Sequence, residues 1–284
     1  MTKIAIVTDS TAYLPQDFVE LHNIQVVPLN IHWDDKTYID GIDITPVEFY
    51  ERLEQSSTIP STSQPSAGDF LQVFKELAPH YSGIIVPLIS SGISGTVDSA
   101  KTAASMFSEA PVEVIDSRLT AAGLALVVTE IAQSASDGKS LKEIKQLADG
   151  IINRMKLFFV VDTLKYLHKN GRIGGASRYL GAALSIKPIL YLDNQGKIDA
   201  LEKVRTKRKA IERLIQLAVE KADGKPVHVG VMHAKAFKEA KNLRDQLLEQ
   251  FDCIQIGIYD ISPVIGAHVG PGTVGLAIYA VDGK

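Results

Sequence analysis

Residues 84–100, IIVPLISSGISGTVDSA, decide the fold. The run from Ile84 to Ile89 is apolar and is bounded by Gly83 and by Ser90-Ser91-Gly92, which reads as a buried strand. Beyond the turn, Val97, Ala100, Ala104 and Phe107 recur at helical spacing and predict a helix over 96–108. Strand, short turn and helix in succession form the unit from which parallel sheets are built. The turn itself carries the hydroxyls of Ser90, Ser91, Ser94 and Thr96 and the glycines Gly92 and Gly95. A helix N-terminus leaves N–H donors unpaired and carries partial positive charge, so a carboxylate or phosphate is stabilised there. Ser94 is the candidate centre of such a site. The same residues also make an ordinary βα turn and N-cap, and from these residues alone both readings stand. No GxxxxGK[ST] phosphate loop is present, and Gly92-Ile93-Ser94-Gly95 falls one residue short of the G-x-S-x-G elbow.

Towards the N-terminus, residues 4–7 form a compact apolar strand ending in Thr8-Asp9-Ser10-Thr11. Polar groups at that end of a strand either bind ligand or cap the next helix, expected over 15–22. A second strand is expected over 24–29, and a hairpin over 31–38 turning at Asp34-Asp35-Lys36. Thr45-Pro46-Val47-Glu48 is a capping box with Pro at the first helical position, opening a helix to about 53. Residues 56–66, SSTIPSTSQPS, are polar and hold two prolines, so regular structure is not expected. Ser66 with Asp69 caps a further helix, and the loop before it, with Thr62 and Ser63 at its centre, is either a flexible linker or a ligand clamp.

After the opening stretch come a strand over 112–115 ending in Asp116-Ser117, a small-residue helix over 121–134, and a helix capped by Ser140 and Glu143 reaching about 155. Alternation of strands and helices to this point argues for a parallel sheet covered on both faces. Residues 157–161 begin a different rhythm. A basic, glycine-rich bend over 168–175 holds Arg172, either a forked contact for an oxyanion or a solvated turn residue. A strand over 187–192 turns at Asp193-Asn194-Gln195-Gly196 into Lys197-Ile198, a hairpin foreign to an all-parallel sheet. The division therefore falls near 156, giving an N-terminal domain 1–155 and a C-terminal domain 156–284. Arg205-Thr206-Lys207-Arg208-Lys209 opens a helix to about 222, either a solvated face or a docking surface for an acidic partner. Strands over 227–232, 253–259 and 274–280, a helix over 234–249 and a glycine-rich bend over 266–272 complete the chain.

The 284 residues suggest two domains, and 45% hydrophobic with 22% charged residues is ordinary for a globular protein. A net charge of −3 argues against a nucleic-acid surface. The single Cys253 excludes an internal disulfide and fits a reducing compartment. The N-terminus has too short an apolar run for a signal-peptide core, and no run approaches a membrane span, so a cytoplasmic location without stable membrane insertion is expected.

Among candidate chemistries, Gly270-Pro271-Gly272-Thr273-Val274-Gly275 fits GxGxxG in letters, but a strand follows where a dinucleotide site needs a helix. The glycines instead permit close backbone approach. His268 stands out by its place in that bend. The histidines are scattered and no HxxxH or CxxC spacing occurs, so no metal and no cofactor are expected. Ser94, His268 and Asp116 could be assembled into a nucleophilic triad, which makes a serine-dependent acyl esterase or transferase the rival reading.

Seven short motifs occur in one order along the chain: Thr8-Asp9-Ser10; Thr62-Ser63-Gln64-Pro65-Ser66; Ser90 to Thr96; Val114-Ile115-Asp116-Ser117; Gly171-Arg172-Ile173-Gly174; Lys187-Pro188-Ile189-Leu190; and His268-Val269-Gly270-Pro271-Gly272. With them the whole chain resembles the DegV family of bacterial fatty-acid-binding proteins, which includes the acyl-carrying subunit of bacterial fatty acid kinase. It departs from the usual pattern at Asn170, where a glycine is commoner, and at Val97, often aromatic. The resemblance implies an α/β protein of two domains, an N-terminal three-layer α/β/α domain with a parallel sheet and a C-terminal α/β domain with a mixed sheet. A long-chain fatty acid such as palmitate would lie between them. By the family's motifs Thr62 and Ser94 hold the carboxylate with Ser63 and Gly95 beside them, and His268 and Arg172 lie close to the head group. Arg205 is similar to a surface that meets an ATP-dependent fatty acid kinase subunit, whose acyl phosphate feeds phospholipid synthesis. The resemblance implies a carrier in lipid transport with no catalytic residue of its own.

Overall fold

The computed structural model describes residues 3–181 and 186–281. The N-terminal half runs β1 (Ile4–Asp9), α1 (Gln16–Leu21), β2 (Gln25–Val27), β3 (Asn30–Trp33), β4 (Lys36–Ile39), α2 (Pro46–Gln55), β5 (Ser61–Ser63), α3 (Ala67–Leu77), β6 (Gly83–Leu88), α4 (Thr96–Ser105), β7 (Val112–Asp116), α5 (Ala121–Ser136) and α6 (Leu141–Arg154). Strands β2-β1-β6-β7 form a parallel sheet in that order. The chain continues with β8 (Lys156–Val160), α7 (Lys165–Lys169), β9 (Lys187–Leu192), β10 (Ile198–Val204), α8 (Lys207–Ala222), β11 (Val227–His233), α9 (Phe237–Gln250), β12 (Cys253–Asp260), α10 (Pro263–Val269) and β13 (Val274–Ala280). These strands form a second sheet, ordered β10-β9-β8-β13-β11-β12. Its β11–β12 pair is parallel and its other pairs are antiparallel, so the sheet is mixed.

The layers follow from strand periodicity. Successive side chains of a strand point to opposite faces, and both faces of each sheet are covered, so the strands read as continuous apolar runs. In β1 and β6, Ala5, Val7, Ile84, Val86 and Leu88 pack against Phe70 and Phe74 of α3 and Val97 and Ala100 of α4. Their alternates Ile4, Ile6 and Ile85 face the other way and join α5 and α6 in the largest core. That core continues into the second sheet through Leu157, Phe159, Leu190 and Ala277. The alternates Phe158, Val160, Ile189, Leu276 and Ile278 close the outer core with α8 and α9. Helix α5 therefore lies between the two sheets. Its composition explains this: Ala, Gly, Leu and Val surround most of it, and a helix that is apolar all round must be buried on all sides.

Several expected boundaries shift. The strand expected over 24–29 is only β2, Gln25–Val27, and the hairpin expected from 31 starts one residue earlier, at Asn30. The helix expected from 234 begins only at Phe237, after Lys235 takes a left-handed turn at φ 49°. Helix α4 stops at Ser105. Two corrections matter for the site. The polar stretch 56–66 is not wholly irregular: β5 pairs antiparallel with β3, which with β4 makes a separate three-stranded sheet, with Ile31 opposite Thr62 and Asn30 opposite Ser63. That pairing is a contact between segments distant in sequence, invisible to local patterning. The bend expected over 266–272 is largely helix α10, so His268 stands in a last helical turn. Ser262 caps α10 by accepting from the Ile265 N–H, and Pro263 follows at the first position.

Candidate functional site

The opening turn divides its hydroxyls by task. Ser90 is fully buried and donates to the Gly196 carbonyl at 2.8 Å, which fastens the turn to the β9–β10 hairpin of the second sheet. The Ser91 hydroxyl bonds to Asp116. Ser94 and Thr96 bond to each other at 2.8 Å, and the Ser94 N–H closes on Ser90 at 3.1 Å. Ser94 thus sits just before α4, whose N-cap is Gly95. A Cβ on Gly95 would come within 2.7 Å of the Gln64 amide, so glycine lets Gln64 lie against the turn.

Facing this turn, β5 presents Thr62 and Ser63. Ser63 Oγ bonds to His32 Nε2 at 2.9 Å, and His32 Nδ1 to Thr37 at 3.0 Å, which steadies the small sheet. Thr62 Oγ1 meets His268 Nε2 at 2.8 Å across 206 positions of sequence. The Asn170 amide donates to Pro60 O at 3.1 Å and Ala267 O at 2.8 Å, so one side chain ties the approach to Thr62 to the helix carrying His268. Arg172 spans to the opening turn, with Nε donating to Ile93 O at 3.2 Å.

Thr62, Ser63, Ser94, Arg172 and His268 all line one cavity. Gly95 does not line it. It lies in an adjoining, more open groove that shares Ser94, Arg172 and Ile198 with the cavity. The remaining wall is mostly apolar and includes Leu29, Ile89, Leu157, Phe159, Leu192 and Met232. Burial, and then the charge of Arg172, push the His268 imidazole down to about 4, so it is neutral near pH 7. Its Nδ1 is buried without a partner.

The Thr8-Asp9-Ser10-Thr11 cluster is a cap and brace. Asp9 accepts from Thr11 and from the Ile89 N–H at 2.7 Å, and Thr8 donates to Pro87 O. Ser10 donates to the buried Asp40, whose other oxygen accepts from Val264 N–H at 3.1 Å. None of these four residues lines the cavity. The triad Ser94–His268–Asp116 is not assembled: His268 bonds Thr62, Ser94 bonds Thr96, and Asp116 accepts from Ser91 and Arg118. Among the described residues no three His, Cys, Asp or Glu side chains are grouped to hold a metal ion. Gly270 and Gly272 do serve close approach. Both have positive φ, 75° and 79°, and a Cβ would overlap the Tyr166 ring at the first and the Asp162 carboxylate at the second. Arg205 is exposed, ahead of α8, and is not part of the cavity wall.

A profile of the family described as "Uncharacterised protein, DegV family" matches residues 3–281. The chain belongs to the DegV family. A DegV domain-containing protein of Halalkalibacterium halodurans is 38% identical over 281 residues, covering 98% of this chain and 99% of that one. Protein DegV of Bacillus subtilis is 35% identical over 276 residues, covering 96% and 98%. Solved DegV structures superpose on the whole chain. A DegV protein of Thermus thermophilus, described for its fatty acid binding, gives a TM-score of 0.93 at 31% identity, covering 98% of this chain and all of that one. DegV of Bacillus subtilis, described as a fatty acid binding protein, gives 0.91 at 33%, covering 99% of this chain and all of that one. A stearic acid-binding protein of Eubacterium ventriosum gives 0.89 at 27% identity, covering 99% and 98%. These DegV proteins have two domains, and the mixed α/β architecture expected for this chain is the one observed.

Sequence reasoning missed three members of this site. Gln64 and Thr120 line the cavity, and Asn170 holds its rim. Asn170 was visible only as a departure from the family pattern. The Ser262-Pro263 pair, a helix start by its own chemistry, would have located α10.

Proposed function

We propose that this DegV protein binds a long-chain fatty acid, with the carboxylate at Thr62 and Ser94, Ser63, Gly95, Arg172 and His268 close by, and the tail in the apolar part of the cavity. One observation carries the reading. Hydroxyl, imidazole and guanidinium groups from separate segments share a cavity wall that is otherwise mostly apolar. Burying about fifteen methylenes is worth about 12 kcal/mol before ordering costs, at ~0.8 kcal/mol each. The tail therefore supplies affinity. The polar end offsets the cost of desolvating a carboxylate and fixes which end of the ligand faces the groove.

On this reading the protein is a carrier in lipid metabolism rather than an enzyme, and it needs no cofactor. It presents the acyl carboxylate to an ATP-dependent fatty acid kinase subunit that docks beside exposed Arg205, for phospholipid synthesis. The chain divides functionally at 155/156, where the second sheet begins. No helix among the described residues is long and apolar enough to cross a membrane, in keeping with a cytoplasmic carrier.

Native mass spectrometry of freshly purified protein is the test. A retained C16–C18 acid at one per chain is expected. Absence of lipid, together with no thermal shift on adding palmitate, ends the proposal. Turnover of an activated ester, with covalent labelling of Ser94 by a serine-directed probe, would replace it with the hydrolase reading.

A further inference from the structure

Among the described residues, the buried side-chain atoms without a hydrogen-bond partner include Thr120 Oγ1 and His268 Nδ1, and both residues line the same cavity. His268 belongs to the polar end. Thr120 makes no hydrogen bond through Oγ1 to any described residue. It occupies the N-cap position of α5, where a threonine ordinarily accepts from an N–H of the first turn, yet it makes no such bond. The residue is 8% exposed, so water does not satisfy the group from outside. Thr273, another hydroxyl in the wall, is engaged by the carbonyls of Val269 and Gly270. The chain also passes through left-handed backbone at Arg118, φ 55°, and at Ala121, φ 47°, a conformation costly for side-chain-bearing residues.

The backbone just before Thr120 is fastened to the opening turn. Leu119 accepts from the Ser90 N–H at 2.8 Å, and Ser90 accepts from the Ser94 N–H at 3.1 Å. These bonds tie Leu119, the residue before Thr120, to the turn that carries Ser94. A buried hydroxyl facing only methylenes is destabilising, and an oxygen on the ligand at that depth would satisfy it. We propose that Thr120 is a specificity-determining contact that selects acyl chains bearing an oxygen, a hydroxyl or a keto group, at the carbon that passes it. This inference rests on the fatty-acid reading above.

The test is displacement of a fluorescent fatty acid from the purified, delipidated full chain. Competitors are stearate and sets of hydroxystearates and ketostearates that differ only in the position of the oxygen. All isomers in a set carry the same desolvation cost, so a positional preference isolates the contact. One position, or two neighbouring ones, should bind roughly tenfold tighter than the other isomers, the scale of one buried hydrogen bond. Thr120→Val should erase that preference, with stearate titrated beside the isomers as the reference, and Thr120→Ser should retain it. The inference is overturned if wild type ranks the isomers equally, a result that needs no variant. It is also overturned if Thr120→Val keeps the preference, or if that variant tightens every chain alike. Equal ranking with stearate still bound removes this inference alone. Failure of both the probe and stearate to bind removes the fatty-acid reading and this inference with it.

Discussion

The two ends of the cavity are built in different ways. The polar end is assembled from chain interruptions: the turn before α4, the short strand β5, the Asn170–Arg172 bend and the last turn of α10. The apolar wall is lined largely by regular elements, Leu157 and Phe159 of β8, Leu192 of β9 and Met232 of β11. Irregular backbone can aim a side chain and an N–H at one point, and strands can supply a smooth wall. The difference teaches that geometry at one end and volume at the other divide the work of recognition.

The largest expected effect attacks the wall. Leu192→Trp should displace about three methylenes of a bound chain, which at ~0.8 kcal/mol each is roughly a fiftyfold loss of palmitate affinity. Octanoate should lose far less, and a titration of both acids reads the contrast. Equal losses would mean that the wall does not set chain length. At the polar end, Ser94→Ala should weaken palmitate about tenfold whatever the chain length. A loss growing with chain length would break the proposed division. Asn170→Ala should cost about 1–3 kcal/mol in urea unfolding, since two buried carbonyls lose their donor, and should weaken head-group binding with it. An unchanged midpoint would show that Thr62 and His268 are aligned without the clamp.

The remaining effect is electrostatic. Burial raises Asp40 to about 7 from an ordinary 3.8, so the folded chain holds a proton that the unfolded chain releases between those values. Its contribution to stability is present at low pH and lost as pH rises towards 7. His268 acts oppositely. Folded near 4 against an ordinary 6.5, it costs stability as pH falls through that window. Asp40→Asn should therefore change the slope of unfolding free energy against pH by at most about 1.4 kcal/mol per pH unit between 4 and 7. It leaves a steeper loss of stability towards acid. Urea midpoints across that range give the answer, and identical slopes would show that Asp40 does not titrate there.

The same contrast explains what could be read from the sequence. Ser94 and Thr62 announce themselves because hydroxyls beside glycines or prolines are not core residues, and the capping boxes at Thr45, Ser66 and Ser140 mark helix starts through purely local bonds. Leu157, Leu192 and Met232 carry no such mark. A side chain facing a cavity and one facing a neighbour have the same periodicity, and only the tertiary arrangement separates them. β5 was hidden because its partner β3 lies about thirty residues away. Asn170 was hidden because its two acceptors are backbone carbonyls, which no residue type reveals. Thr120 looks like any helix cap until the missing bond is noticed.

Helix α5 is gripped by a sheet on either side, with side chains such as Leu124, Leu126, Val127 and Val128 excluded from solvent around most of its circumference. One continuous core thus joins the two sheets through this helix. On the carrier reading proposed above, a ligand would pass the rim where Asn170 and Arg172 hold the opening through hydrogen bonds to backbone carbonyls.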